Sequence, residues 1–280
     1  MGPGRCGLQL ARAMTAAGLR VVGIEARSPS GRARARRACP GVAVHGTDAA
    51  LPAVHAVLLA IPDSELAACA RALAPRLDPA TRVVLHTSGL APASALEPLA
   101  GRHRSIASMH PLVTFPSATG RPVALDGVVA AIEGEAAAVR AAFGLARTLG
   151  MRPVRIAADA KARYHAAAAL AANLSHALVA TAKEILVEAG FSPRAAGEAL
   201  RPLVRGAVES ATEADGMESL TGPLARGDAR AVAAHLAALP EDAAAAYGAV
   251  ARLALASLGS QRLLTESQIH ELLRALTVIP

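Results

Sequence analysis

Gly2-Pro3-Gly4-Arg5-Cys6-Gly7 is the stretch on which the reading of this chain turns. It matches GxGxxG and runs straight into a helical pattern over residues 5–17, closed by Gly18. Each glycine has a steric task. The first allows a tight turn, the second lets the backbone approach a pyrophosphate, and the third lets helix and strand pack closely, while the helix N-terminus attracts phosphate. The pattern alone is weak in a chain with 23 glycines, so its weight depends on the residues downstream.

Those residues alternate in character. Short apolar strands are expected at 20–25, 42–44, 54–61, 81–86, 105–109, 128–132 and 153–156, with helices at 32–38, 64–74 and 135–149. Residues 54–61 are apolar almost throughout, as in a parallel strand buried on both faces. Asp63 or Ser64 is expected to open the 64–74 helix. Strands alternating with helices mean an α/β fold with a doubly wound parallel sheet. Beyond Ile156 the strand signal stops. Residues 159–189 read as one long helix, followed by helices at 193–212, 229–238, 241–258 and 265–275. The expected organisation is a dinucleotide-binding domain over 1–156 and an all-helical substrate and dimerisation domain over 157–280.

The fingerprint lacks one companion. It should come after a strand, yet only Met1 precedes Gly2. The first, central strand of the sheet is therefore expected to be missing, through a misassigned start or a shortened version. Its neighbours would be left with unpaired backbone groups, which are costly when buried. Weak cofactor binding is the resulting expectation, restored by upstream residues.

Composition narrows the function classes. Aromatics are only 2% of the chain, which removes the stacking platforms of single-strand nucleic-acid modules. The net charge of +7 includes a dense patch at Arg32, Arg34, Arg36 and Arg37. That patch is either a solvated helix face or an anion site for a cofactor phosphate. No helix-turn-helix or zinc spacing supports a nucleic-acid binder. Cys6, Cys39 and Cys69 form no disulfide framework. Arg5 and Arg12 break any early apolar run, and the stretch 166–182 is interrupted by Asn173, Ser175 and His176, so neither signal peptide nor membrane span is expected. The expectation is a cytoplasmic protein without nucleic-acid or membrane partners.

The strand that ends at Glu25-Ala26-Arg27-Ser28 sits where ribose recognition belongs. An acid there suits NAD; an Arg followed by Ser suits the 2′-phosphate of NADP. Arg27, Ser28 and nearby Arg32 favour NADP, with NAD as the alternative. Three further strand-end loops carry unusual residues: Ile61-Pro62-Asp63, His86-Thr87-Ser88-Gly89 and Met109-His110-Pro111-Leu112. Ile61 and Pro62 would shape the floor under the cofactor, and Asp63 either joins them or only caps a helix. Ser88 and Gly89 offer a hydroxyl and backbone N–H groups to a substrate anion. His86 and His110 can donate protons. In the long helix, Lys161, His165 and His176 fall within roughly 60° of one another at about 100° per residue, with Asn173 roughly 60° further round. His165 and His176 stand about 16 Å apart along that axis, so no metal pair is expected.

The runs His86-Thr87-Ser88-Gly89 and Ser108-Met109-His110-Pro111-Leu112 with Thr114-Phe115, then Lys161 with Tyr164-His165, then Asn173, and Leu220-Thr221-Gly222-Pro223 with Arg226-Gly227-Asp228 and His235, together resemble one family. It comprises bacterial Rossmann-like proteins whose C-terminal half is a domain of unknown function. They are usually described as NADP-dependent oxidoreductases. The helical half is similar in kind to that of 6-phosphogluconate dehydrogenase, and the layout to pyrroline-5-carboxylate and ketopantoate reductases. Several such enzymes use a Lys and an Asn at the start of the helical domain, and prephenate dehydrogenases carry a strand-end His-Pro. The resemblance implies Lys161 and His110 as proton-transfer candidates, with His86, Ser88, Gly89, His165 and Asn173 around the substrate. Gly2, Gly4, Arg5, Cys6, Gly7, Arg27, Ser28, Ile61, Pro62 and Asp63 would hold the cofactor.

The function expected is hydride transfer between NADP(H) and a small anionic carbonyl, imine or alcohol substrate, in a homodimer. The alternative is a non-catalytic dinucleotide-binding or sensor protein. Arg226 and Asp228 would pair with each other, brace the Lys161 helix, or clamp the anion.

Overall fold

Val83–His86 is apolar up to its final histidine and buried at every position. In the computed structural model, which describes residues 1–213 and 217–277, this strand (β4) lies within a five-stranded sheet. Its neighbours are β3 (Ala56–Leu59) and β5 (Ser105–Pro111), followed by β6 (Val129–Gly134) and β7 (Arg152–Arg155), in the order β3-β4-β5-β6-β7. β3, β4 and β5 pair in parallel, as expected for near-continuous apolar strands. The all-parallel expectation fails at β6, which runs antiparallel to β5, with Ser108 opposite Glu133. A second, two-stranded parallel sheet joins β1 (Gly23–Glu25) to β2 (Ala43–His45).

Helices cover both faces. On one lie α1 (Arg5–Ala16) and α4 (Ala136–Thr148). The alanines at 138, 142 and 146 are fully buried, and their four-residue spacing puts them on one stripe facing the sheet. Leu10 of α1 and that stripe pack against Val83, Leu85, Met109 and Ile132. On the other face, α3 (Leu66–Leu73) buries Leu66, Ala70 and Leu73 against Leu59, Val84 and Ile106. Small side chains thus replace the rings that the composition lacks, drawing helix and sheet together. α2 (Pro29–Ala38) comes after β1 and starts three residues before its expected position, because Ser28 accepts a hydrogen bond from Gly31 N–H and caps it.

Met1 and Gly2 stand between the two sheets. Gly2 N–H donates to Glu25 O (3.2 Å), the Met1 ammonium to Leu58 O (2.5 Å), and Ala60 N–H to Met1 O (2.9 Å). Below them is a cavity of about 610 Å³.

The chain divides into two compact units, Met1–Ala172 and Asn173–Pro280. The sequence boundary near Ala157 differs because Lys161 is buried in the first unit. The long helix expected over 159–189 is three segments: α5 (Lys161–Ala169), a π-helical turn (Leu170–Leu174) and α6 (Ser175–Glu188). A π turn does not advance by the α-helical angle. The angular reading that grouped Asn173 and His176 with Lys161 therefore fails beyond Ala169.

The second unit is helical: α6, α7 (Pro193–Glu213), α8 (Pro223–Arg226), α9 (Ala229–Ala238), α10 (Glu241–Ser260) and α11 (Glu266–Thr277). Its core joins Val232, Leu236, Leu255, Leu258, Leu272 and Leu276. α10 is the one helix among the described residues long and apolar enough to cross a membrane, and the face bearing Ala244, Ala251, Leu255 and Leu258 lines this core.

Candidate functional site

The glycine turn behaves as its spacing predicts. Gly2 holds φ +93°, and a Cβ there would come within 2.2 Å of Ala60 O. A Cβ on Gly7 would meet Gly2 O at 2.2 Å, so only glycine lets α1 sit on the turn. Gly4 is exposed at the N-cap of α1, with no side chain capping the helix. Leu8 N–H, bonded to Gly4 O, is the first amide the helix uses. The preceding N–H groups of Arg5, Cys6 and Gly7 are left for an anion. The Cys6 thiol is pushed up to about 11 by burial and stays protonated.

At the end of β1, Glu25 is buried and its carboxylate receives Arg76 Nη2 at 2.7 Å. It is thus committed to Arg76. Arg27 is exposed, and its guanidinium pairs with the half-exposed Glu65 at 3.3 Å. Such a pair is worth at most about 1 kcal/mol and yields easily to a stronger anion. Arg32 donates to Ala26 O and Arg27 O, shaping the loop, and Ser28 and Ser30 hydroxyls lie 3.2 Å apart beside it. Ile61 packs with the lower core, and Pro62 precedes a 3-10 turn at Asp63–Glu65. Asp63 is exposed and caps nothing; α3 begins at Leu66 without a side-chain cap, contrary to expectation.

The carboxyl ends of β4 and β5 carry the titratable cluster. His86, expected at the substrate, is fully buried. Its Nδ1 accepts Ser88 N–H (3.1 Å), so the proton of the neutral ring is on Nε2, donated to Pro92 O (3.2 Å). Burial, and then the charge of Lys161, lower its pKa to about 4. With both nitrogens engaged inside its own loop, it has none for a ligand. Ser88 is also turned inward: its Oγ accepts Leu90 N–H (3.1 Å) and Ala91 N–H (2.8 Å).

Lys161 is only 1% exposed. Its Nζ donates to Ser88 O (3.0 Å) and Ser108 Oγ (2.5 Å) and lies 3.8 Å from Glu133 Oε1. That carboxylate oxygen also accepts Ala93 N–H (2.5 Å). Burial lowers the lysine's pKa, opposed by Glu133 and Asp63. The lysine therefore ties the β4 loop, β5 and β6 together. Glu133 escaped the sequence reading. Its signal was an acid one residue beyond the expected end of a buried apolar strand.

His110 differs from His86 in being only half-buried. Its Nδ1 is 2.8 Å from Tyr164 Oη, and its ring meets Tyr164 and His165 edge-on, at centroid distances of 5.6 and 5.9 Å. Burial, then His165 and Lys161, lower its pKa to about 4; burial raises Tyr164 to about 12. Both are neutral near pH 7. Gly89 is the floor of this cluster. A Cβ there would approach His165 Cδ2 at 2.5 Å and His110 Nε2 at 3.0 Å.

Asn173 is exposed on the π turn and belongs to the second unit. There Asp228 caps α9 by accepting Ala231 N–H (3.0 Å), a structural role, and no ion pair joins it to Arg226 among the described residues. His235 Nδ1 is 3.1 Å from Tyr247 Oη.

Residues 1–111 match the profile of a Rossmann-like domain, and residues 128–254 that of a domain of unknown function, DUF2520. Similar solved structures include a Bacteroides fragilis protein provisionally named an NADP oxidoreductase, 22% identical over 90% of this chain and 95% of that one, with a TM-score of 0.75. A Thermotoga maritima protein is 23% identical over 93% and 98%, TM-score 0.69. Plasmodium falciparum pyrroline carboxylate reductase, solved with NADP bound, is 13% identical over 99% and 94%, TM-score 0.57. At these identities the likeness is one of fold. No curated protein matches the chain.

Proposed function

This chain joins a Rossmann-like domain to a DUF2520 domain, and from that premise we propose that it is an NADP(H)-dependent oxidoreductase of a small anionic carbonyl, imine or alcohol substrate. One observation carries the reading. An uncapped helix N-terminus on a glycine-only turn packs against Ala60, just past the end of β3, and a half-buried His110–Tyr164–His165 cluster packs over Gly89, just past the end of β4; ligands of open α/β sheets bind at such strand ends.

The cofactor would supply the hydride. The first-turn N–H groups of α1 hold its pyrophosphate, with Ile61 and Pro62 beneath. Arg27 and Ser28 take the 2′-phosphate. Glu25, engaged with Arg76, is withheld from the ribose hydroxyls, which favours NADP over NAD. His110 does the proton work. Above about pH 4 its ring is neutral, and Tyr164 holds Nδ1, leaving Nε2 on the Gly89 side. That nitrogen takes the proton of an alcohol being oxidised, or hydrogen-bonds a carbonyl being reduced. Gly89 and His165, packed against His110, position the substrate. Lys161, which the family resemblance implies for proton transfer, is instead a positioning residue that holds Ser88 O and therefore Gly89.

α6 buries none of its residues, although it carries Leu178 and Val187 at its surface, and Leu203 of α7 is exposed too. A second copy of this chain covers these helices in the proposed homodimer. The three unpaired cysteines suit a reducing cytoplasm.

The test is NADPH and NADH titration, followed by cofactor oxidation across 2-keto acids, imines and cyclic acids. Turnover that disappears in His110→Asn supports the reading; full turnover in that variant sinks it. NADPH binding without turnover favours the sensor, a reading to which the closed Lys161 network lends weight.

A further inference from the structure

A second cavity, also about 610 Å³, runs along the later half of α1, between the residues that follow α2, the loop that leads into β6 and the last turn of α4. It shares no lining residue with the cavity below Met1 and Gly2. Its floor is buried at Gln9, Cys39, Leu125 and Leu149, and its rim is exposed at Ala16, Ala17, Pro40 and Pro122. The groove is a seam between two parts of the core. Leu125 and Leu149 belong to the part that packs under α4, and Cys39 to the part that joins α1 to α2. Along α1 the seam is met by Ala13, Ala16 and Ala17, whose methyl groups are too short to fill it.

The polar side chains of this groove are spent, with one exception. The Gln9 amide donates to Ser117 O (2.8 Å) and Arg121 O (3.3 Å) and accepts Val123 N–H (3.1 Å). The hydroxyls of Thr15 and Thr148 donate back to their own helices, at Ala11 O (2.9 Å) and Gly144 O (3.0 Å). Burial raises the pKa of Cys39, so its thiol is neutral. Arg12 is the exception. It is half-buried, gives one hydrogen bond, from Nη1 to Gly120 O (2.6 Å), and forms no ion pair among the described residues. The rest of its planar fork of N–H donors matches a carboxylate. The rim adds charge of the same sign. The exposed Arg37, Arg121 and Arg147 each precede a lining residue, and among the residues that flank the lining positions in sequence Asp126 is the one acid. Like charges around an apolar wall draw in an anion.

We propose that this groove binds one anionic amphiphile, an aliphatic carboxylate whose head pairs with Arg12 and whose chain lies along the seam. The head is set by Arg12 and the basic rim, since a bidentate, charge-assisted pair is the strongest contact a guanidinium makes. The chain is set by the walls. Their apolar residues are alanine, proline, valine and leucine, with no aromatic ring to stack on one in the ligand. The size suits a single molecule, because small-ligand pockets run from about 300 to 1,000 Å³. The site is also separate from the glycine turn. At about 1.5 Å per residue, Arg12 stands about 12 Å along α1 from Gly4, so the amphiphile and a ligand at the first-turn N–H groups do not compete.

The test is calorimetric titration with sodium decanoate and octanoate below their micellar concentrations, with decanol and decyltrimethylammonium as head-group controls. Decanoate should bind about tenfold more tightly than octanoate, since each buried methylene adds about fourfold. It should also bind about tenfold more tightly than the cationic amphiphile. Arg12→Gln should weaken decanoate about tenfold and leave decanol unaltered. Ala16→Phe, at an exposed position, should weaken both about tenfold by filling the seam. Melting followed by circular dichroism checks that each variant folds; if Arg12→Gln does not, Ala16→Phe and the head-group controls decide. Hydrogen exchange over residues 38–42 and 118–126 should slow when decanoate is added to the native chain. These readouts need no cofactor, so they stand apart from the oxidoreductase reading. The proposal is overturned by absence of decanoate binding, by equal affinity for decyltrimethylammonium, or by folded variants that bind as the native chain does. Binding to phosphatidylglycerol vesicles but not to free decanoate, or a dimer in sedimentation velocity that Ala16→Phe disperses, would overturn it as well.

Discussion

Replacing Lys161 by Met tests whether this lysine is structural or catalytic. The substitution keeps the length of the side chain and removes two charge-assisted hydrogen bonds, to Ser88 O and Ser108 Oγ, and the cation 3.8 Å from Glu133. A hydrogen bond to a charged group is worth about 1.5–3 kcal/mol, and breaking one partner of a buried pair costs about 3–5 kcal/mol because the other is left uncompensated. Relief of the lysine's own burial offsets part of this, so a net loss of about 3 kcal/mol is expected. Glu133→Gln should restore about 1–2 kcal/mol in the Lys161→Met background, because a neutral amide leaves no buried charge behind, while the same substitution destabilises the native chain. Urea unfolding of the four proteins closes the cycle. The sign of the pH dependence is also set. The folded chain holds the lysine proton less tightly than its ordinary 10.5, so the unfolded chain binds more protons over the interval below that value, and stability rises with pH there. Lys161→Met should lack that increment. Single losses that simply add, or a variant within about 0.5 kcal/mol of the native chain, would refute the network as the reason the lysine is buried.

Gly89→Ala should lower turnover by about a hundredfold with NADPH affinity unchanged, since its Cβ would push on both His110 and His165; steady-state kinetics and a fluorescence titration separate the two effects. Arg27→Ala should weaken NADPH about tenfold and leave NADH unaltered, as measured by titration with each. The rate of alcohol oxidation should be level above pH 5 and fall as pH drops through about 4, where His110 gains its proton; a pH profile that ignores His110→Asn would contradict this. Leu178→Asp with Leu203→Asp should convert a dimer to a monomer in sedimentation velocity, with the helical content retained.

The sheet was legible because its chemistry is local. The apolar runs at Val83–His86 and Ser105–Pro111 have no amphipathic alternative, and only burial on both faces satisfies them. The antiparallel turn of β6 was not legible, because an apolar strand looks the same in either direction. The π turn at Leu170–Leu174 was hidden for a related reason: Ala, Leu and Asn fit an α-helix equally well, and the change in pitch comes from packing. Among the site residues, Gly2 and Gly7 announced close approaches that the fold uses, whereas the tight contacts of Gly89 with His110 and His165 had no signal in the sequence. Polar residues were harder to assign, since their role depends on which way they face. His86 and His110 end neighbouring strands, yet one is sealed into its loop and the other is half-open. Glu133 drew no attention, because its partner Lys161 is 28 positions away in sequence, and β5–β6 pairing sets Glu133 opposite Ser108, to which Lys161 also donates.

That contrast between the two histidines is what the proposed division of work at these strand ends rests on. A proton-transfer group must exchange its proton with a ligand, so it needs a free nitrogen, a neighbour that fixes its ring, and partial access. His110 has all three, in Nε2, Tyr164 and its half-burial. His86 and Lys161 have every polar atom assigned to the protein itself. Their burial is costly unless those bonds form, which makes them sensitive to any shift of the Ser88–Gly89 loop. The loop and the buried pair are therefore one unit. Lys161 and Glu133 fix Ser88 O, the carbonyl fixes Gly89, and Gly89 sets how closely His110 and His165 can stand. Catalytic loss on mutating Lys161 is then expected to track the loss of loop order. Lys161→Arg, which keeps the charge but not the fit, should depress kcat without shifting the His110 pH profile.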